Sequence, residues 1–171
     1  EAKLRRVQAS AAEVTLLACD AARPADAAAL LRAAADGTPP TVMHAAGLTR
    51  DSLLSNATPS QLAAVMAPKA VGAWNLHHAT LRGGTPSLLL FSSVASAFGN
   101  VGQAAYAMAN ACLDSLALGL ASRAAVASSL QLPLVEGVGM GAGEANARRH
   151  ISVSLAQYGR CLLSLLAAPD A

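Results

Sequence analysis

Aromatic residues are nearly absent from this 171-residue chain: one Trp, two Tyr and two Phe make 3% of it. A core with so few rings has to be filled by Ala, Leu and Val. Charge is also scarce, at 13% against 54% hydrophobic residues. That balance excludes a disordered chain, which would be polar and highly charged. The basic doublets Arg5-Arg6 and Arg148-Arg149 have no interleaved aromatics, so no nucleic-acid partner is expected. Cys19, Cys112 and Cys161 are far apart and form no CxxC pair. Neither a disulfide framework nor a zinc site follows from that spacing, and a reducing, cytoplasmic compartment is expected. His77 and His78 are sequence neighbours on a helical pattern and point to different sides, so no metal is expected. No apolar run promises a membrane span: SLLLF has strand length, and AAYAMANACLDSLALGL is interrupted by Asn110 and Asp114. The opening EAKLRR is charged and helical, unlike a secretory signal. Lysine is rarest of the cations, with only Lys3 and Lys69.

What is present alternates between apolar strands and helices. The length suits one domain, residues 1–171, with a real core. EVTLLACD (13–20), TVMHAAG (41–47), SLLLFSS (87–93) and AVASSLQL (125–132) read as strands. PADAAALLRAAAD (24–36) reads as a helix with Pro24 in its first turn, ended by Gly37 and Pro39-Pro40. Residues 58–81 read as a long helix with Thr58 as N-cap, Pro59 at its first position and Gln61 completing a capping box. Pro68 should kink it. Residues 103–123 and the amphipathic 151–167 are further helices, and 135–144 is a glycine-rich loop. Strands this uniformly apolar, with helices between them, imply a parallel α/β sheet covered on both faces. Ligands gather at the carboxyl ends of such strands. Here those ends carry Asp20, His44 to Gly47, Ser92-Ser93 and the loop from Pro133 to Met140.

Tyr106 and Asn110 are four apart, hence on one helix face. Ser93 ends the preceding strand, thirteen residues before the tyrosine. Carbonyl reduction needs a hydride for the carbon and a proton for the oxygen. A phenol can give that proton, but its reference pKa is about 10, and a nearby ammonium favours its ionised form. A serine hydroxyl can hold the carbonyl oxygen as negative charge develops. Lys69, in the helix before the serine strand, reaches the tyrosine if right-handed crossovers put both helices on one face of the sheet. Outside this set, Trp74 is assigned to the core, His44 to a hydrogen-bonded strand end, and Asp114 to a local cap or pair. Cys112, Tyr158 and His150 receive no role.

The segments HAAG (44–47), APKAVGAWNLH (67–77), LFSSVAS (90–96) and GQAAYAMANACLD (102–114) resemble, in order and spacing, the ketoreductase domain of modular polyketide synthases. This is a branch of the short-chain dehydrogenase/reductase superfamily, and the resemblance covers nearly the whole chain. Most of that superfamily has a lysine four residues after the tyrosine. In these ketoreductases lysine and asparagine are exchanged, as Lys69 and Asn110 are here. The resemblance implies a site of Lys69, Ser93, Tyr106 and Asn110. Tyr106 would be proton donor, Ser93 carbonyl binder, Lys69 the charge that tunes the phenol, and Asn110 an orienting or water-holding group.

The same resemblance implies NADPH as cofactor. Asp20 would lie at the adenine, His44, Ala45, Ala46 and Gly47 near the ribose, and Pro133, Leu134 and Val135 against the nicotinamide, with Met140 preceding a lid. Its implied partner is an acyl carrier protein bearing a phosphopantetheine-tethered β-ketoacyl chain, beside other domains of the same synthase. B-type members carry LDD after HAAG; the matching residues are Thr49, Arg50 and Asp51. A-type members carry a tryptophan eight residues before the tyrosine, and Phe98 stands there. B-type stereochemistry is therefore favoured, with Asp51, Phe98 and Met140 as stereocontrol positions. The family's sheet runs 3-2-1-4-5-6, and residue 1 resembles the helix before its third strand. The expected fold is thus a Rossmann-like doubly wound sheet without the first two strands, the glycine-rich phosphate turn and the last strand. A fragment of this kind should bind NADPH poorly and be inactive alone. The alternatives are a non-catalytic structural domain of a megasynthase, or a free-standing short-chain carbonyl reductase.

Overall fold

In the computed structural model of this chain, residues 14–81, 87–123, 126–137 and 152–167 are described. The run Ser87–Ser93 forms the central strand, β2, because its apolar residues can be buried on both faces: Leu88, Leu89 and Leu90 are all buried. It pairs in parallel with β1 (Thr41–His44) on one side and β3 (Ala127–Leu132) on the other. The register runs from Thr41 opposite Ser87 to His44 opposite Leu90. On the other side it runs from Leu88 opposite Ala127 to Ser93 opposite Leu132. Parallel strands with helical crossovers make this a Rossmann-like α/β fold.

The helices are α1 (Pro24–Ala33), α2 (Pro59–Met66), α3 (Gly72–Thr80), α4 (Ala95–Phe98), α5 (Ala104–Ala121) and α6 (Leu155–Ala167). The capping box forms as expected: Gln61 N donates to Thr58 Oγ1 at 3.3 Å, and Thr58 N donates to Gln61 Oε1 at 2.9 Å. Pro68 falls in one π-type turn, Ala67–Val71, that joins α2 to α3. A widened turn absorbs the ring and the missing N–H without breaking the helical path. The core cluster unites Ala73 of α3, Leu88 and Leu90 of β2, and Leu113, Ala117 and Leu120 of α5. So α3 and α5 share one face of the sheet, as the site requires. By length and hydropathy (18 residues, mean 1.3) α5 could cross a membrane, despite Asn110 and Asp114. Here it packs instead on β2 and β3.

Several expectations need correction. Residues 14–20 form no strand, and Leu16 and Leu17 are exposed. An apolar run becomes a strand only against a partner, and none of the described residues pairs with it. The first strand ends at His44, and the chain from Ala45 to Leu53 is irregular. Helix α1 stops at Ala33, three residues early. Asp36 then accepts bonds from Thr38 N at 2.9 Å and Thr38 Oγ1 at 2.6 Å, a turn that competes with helix. The last helix starts at Leu155 because Ser152–Val153 (β5) pairs in parallel with Leu134–Val135 (β4). Ser154 and Gln157 then make a second capping box, with N–H···O distances of 2.8 and 3.3 Å. Trp74 is 53% exposed and stacks near His77 and His78, while Ala73 and Leu76 take the core face of α3.

Candidate active site

Ser93 stands at the carboxyl end of β2, and α5 brings Tyr106 and Asn110 on one face. The π-type turn delivers Lys69 from the neighbouring helix. Lys69 is only 3% exposed; its Nζ donates to the Phe91 carbonyl at 2.9 Å and lies 5.5 Å from the Tyr106 ring centroid. The lysine predicted to come from another helix therefore does come to the tyrosine. Burial lowers its pKa to about 8, opposed by the attraction of Asp114. The bond to Phe91 uses one of its three N–H donors; among the described residues no acceptor takes the other two, which can serve a ligand or water.

The turn itself is fixed from beneath. His44, buried at the end of β1, donates from Nε2 to the Lys69 carbonyl at 3.1 Å. Burial keeps its pKa below the ordinary histidine value, and the Lys69 charge adds to that; the carbonyls of Lys69 and Pro68 oppose it. Gly72 permits this close approach: a Cβ there would stand 3.2 Å from His44 Cε1 and 3.3 Å from Ala21 Cβ. Asn75 Nδ2 donates to the Ala21 carbonyl at 3.0 Å, tying α3 to the turn after Asp20.

Asn110 is fully buried. Its Nδ2 donates to the Tyr106 carbonyl at 2.8 Å, and its main-chain oxygen accepts from Ser92 Oγ at 3.3 Å. Its Oδ1 is buried, and none of the described residues donates to it. Buried polar atoms are rarely left so, and a ligand or ordered water is the usual partner. Ser93 Oγ accepts from Ala95 N at 3.2 Å, which orients the hydroxyl at the start of α4. The half-buried Tyr106 thus has an ammonium over its ring and a buried amide with a spare acceptor one turn along its helix, while Ser93 ends the central strand on which that helix packs. This donor and acceptor set fits the reacting end of a nicotinamide cofactor and a carbonyl substrate.

Of the remaining expected positions, Asp20 is exposed and holds a turn, accepting from Ala22 N at 3.0 Å. Ala45, Ala46 and Gly47 follow β1 and are exposed. Pro133, Leu134 and Val135 are half-buried after β3, in line with the strand end beside Ser93. Asp51 accepts from Gln103 Nε2 at 3.0 Å, and Ser52 N donates to the Gly102 carbonyl at 2.8 Å. These two bonds tie the loop after β1 to the start of the tyrosine helix. Phe98 is 79% exposed at the end of α4. Met140 and His150 lie outside the described residues.

Two residues were missed. Asp114 partners Ser96, Ser129 and Gln131 rather than local groups. Its signal was the spacing of four from Asn110 and eight from Tyr106, on the same helix face. Tyr158 of α6 packs on Phe91, with ring centroids 6.4 Å apart. Nothing in the local sequence signalled that contact.

A parallel α/β sheet with a serine at the end of its central strand, and lysine, tyrosine and asparagine on the helical segments packed on one face of it, is the arrangement of the short-chain dehydrogenase/reductase class. The family model described as "KR domain" matches residues 1–137. The chain belongs to this family, the ketoreductase domains of modular polyketide synthases. It is 47% identical over 118 residues to the polyketide synthase GfsB of Streptomyces halstedii, covering 68% of this chain and 2% of that protein. It is 42% identical over 139 residues to the chalcone synthase cfoA of Aspergillus candidus, covering 77% of this chain and 5% of that one. The first ketoreductase of the tylosin synthase superposes with a TM-score of 0.84 at 33% identity, over 96% of this chain and 37% of that structure. The ketoreductase from the first module of phoslactomycin biosynthesis in Streptomyces sp. HK803 gives 0.85 at 33%, over 98% and 40%. The chain thus spans a few per cent of its curated relatives and about two-fifths of the solved ketoreductases.

Proposed function

We propose that this chain carries the catalytic residues of an NADPH-dependent reductase, which converts a β-ketoacyl thioester on an acyl carrier protein to the β-hydroxyacyl thioester. The observation that supports this most is the Lys69 ammonium, buried and seated 5.5 Å from the Tyr106 ring. A buried ammonium is costly, and a fold retains one where its charge is used.

Bound NADPH would supply the hydride to the carbonyl carbon. Asp20, the His44–Gly47 segment and Pro133–Val135 would hold it, through side chains or main chain at the strand ends. Ser93 Oγ donates to the carbonyl oxygen and holds it as charge develops. The Tyr106 hydroxyl gives that oxygen its proton, so the alcohol forms and the phenol is left as phenolate. Lys69, buried beside the Tyr106 ring, stabilises the phenolate charge. Asn110, through Oδ1, holds a water or ligand donor from which the phenol is reprotonated. Asp51 and Phe98, with Met140, govern which face of the ketone is presented, and we assign B-type configuration to the product. The working partners are the carrier protein and neighbouring synthase domains, in the cytoplasm.

The test uses the polypeptide containing this chain, with a β-ketoacyl thioester and NADPH. Tyr106→Phe should lower kcat by at least ~100-fold, in keeping with the loss of a positioned acid. Retention of wild-type rate would sink the assignment. Chiral analysis of the alcohol checks the configuration, and an A-type product would overturn that part alone.

A further inference from the structure

Asp114 lies on α5 one turn beyond Asn110 and two beyond Tyr106, so all three share a face. Its carboxylate collects donors from two other elements. Oδ1 accepts the Ser129 hydroxyl, and Oδ2 accepts the Ser96 hydroxyl at 2.6 Å and Gln131 Nε2 at 2.8 Å. Gln131 Nε2 also reaches Ser96 Oγ at 3.1 Å, and Ser96 Oγ stands 2.7 Å from the main-chain oxygen of Ser93. The partners are 15 to 18 residues from Asp114 in sequence, so these are tertiary bonds rather than capping. Ser129 and Gln131, two apart, project from one face of β3. Burial alone would raise the carboxyl pKa; the bonds from Ser129, Ser96, Gln131 and Ser92 outweigh it and keep it below the usual carboxylate value. The proton transfer proposed above makes no use of this group.

We infer that Asp114 is a positioning residue for the reductase site: its carboxylate buckles the helix of Tyr106 and Asn110 to the Ser93 turn and to β3. This rests on the reductase reading. The buckle joins the three segments whose relative placement sets the reaction geometry: the tyrosine helix, the serine turn, and the strand leading into Pro133–Val135. The carboxylate is held by the polar side chains of Ser92, Ser96, Ser129 and Gln131, and its attraction raises the Lys69 pKa against the burial that lowers it. Lys69 in turn meets the Tyr106 ring, the Phe91 carbonyl, and the His44 imidazole that bonds its own carbonyl.

Two variants separate charge from buckle, both in the whole polypeptide. Asp114→Asn keeps the size and removes the charge. Its kcat should fall at least ~10-fold with KM changed less than ~3-fold. The alkaline limb of its pH profile should move to lower pH, because Lys69 without its counter-charge loses its proton sooner. Unfolding measured against pH should show the same displacement with no substrate present. The double variant Ser96→Ala/Ser129→Ala keeps the charge and loosens the buckle. It should lose rate without moving the alkaline limb. Wild-type kcat together with an unmoved limb in Asp114→Asn would overturn the inference. So would a loss of rate in either variant that only tracks the folded fraction by circular dichroism. Tyr106→Phe, run alongside, keeps the two readings apart: if it stays active, the reductase assignment fails. If it is dead while Asp114→Asn is normal, only the positioning role fails.

Discussion

Replacing Lys69 by methionine should make the protein more stable at pH 7 while disabling it. The fall of the ammonium pKa from 10.5 to about 8, driven first by burial, corresponds to about 3 kcal/mol against the charged form in the fold. The side chain is nearly inaccessible at 3%, so solvent screening relieves little of this. Methionine keeps similar length and volume and removes the charge. It also removes the bond to the Phe91 carbonyl at 2.9 Å, and an unpartnered buried acceptor costs about 1–2 kcal/mol. The contact of the ammonium with the Tyr106 ring is lost too, but a thioether also packs well on an aromatic. The balance is a gain of about 1–2 kcal/mol at pH 7. The pH dependence gives the sign. The folded pKa lies below the unfolded one, so between about pH 8 and 10.5 the unfolded chain binds more protons. The penalty is fully present below that window and is relieved as pH rises through it. Wild-type stability should therefore gain on the methionine variant as pH climbs, and match or exceed it by pH ~10. Urea unfolding of both proteins at pH 7 and ~10, followed by circular dichroism, measures this. A methionine variant less stable than wild type at pH 7 by more than ~1 kcal/mol would show that the buried ammonium does not destabilise the fold. So would a difference between the two proteins that does not change with pH.

Other outcomes follow from local structure. Thr58→Ala removes the cap accepted from Gln61 N and should cost about 1 kcal/mol in denaturant unfolding. Leu113→Ala, at a fully buried position between α5 and β2, should cost about 2–5 kcal/mol by the same measurement. Gly102 has φ +78°, and Gly102→Ala should cost roughly 1–2 kcal/mol and loosen the Ser52 contact at the start of α5. Hydrogen exchange at the Ser52 amide reports that loosening. Phe98→Ala, at an exposed site, should change stability by less than ~0.5 kcal/mol, so that any change in product configuration is a site effect.

Much of the fold was legible because its signals are local. The Thr58–Gln61 capping box, the Leu88–Leu90 run and the helix over Ala104–Ala121 each follow from composition and spacing within a few residues. The exchange of Lys69 and Asn110 was legible through family resemblance, and the crossover argument placed both on helices sharing one face of the sheet. What was not legible depends on distant partners. Residues 14–20 have strand composition but no partner among the described residues. The β4–β5 pair joins residues 17 or more apart and starts the last helix four residues later than its apolar pattern does. Trp74 was assigned inward on hydrophobicity alone, but Ala73 and Leu76 already fill the core face of its helix. Asp114 looked like a local cap because its donors, Ser96, Ser129 and Gln131, come from other elements.

In the proposed mechanism Lys69, from a different helix, serves Tyr106 in place of a lysine at position 110. The most direct test is the rate of ketone reduction by Lys69→Met in the polypeptide containing this chain, at saturating NADPH, with folding verified by circular dichroism. The variant should be folded, at least as stable as wild type at pH 7, and lower in kcat by ~100-fold or more. A folded variant that reduces the ketone at the wild-type rate would mean that Lys69 has no part in the proton transfer.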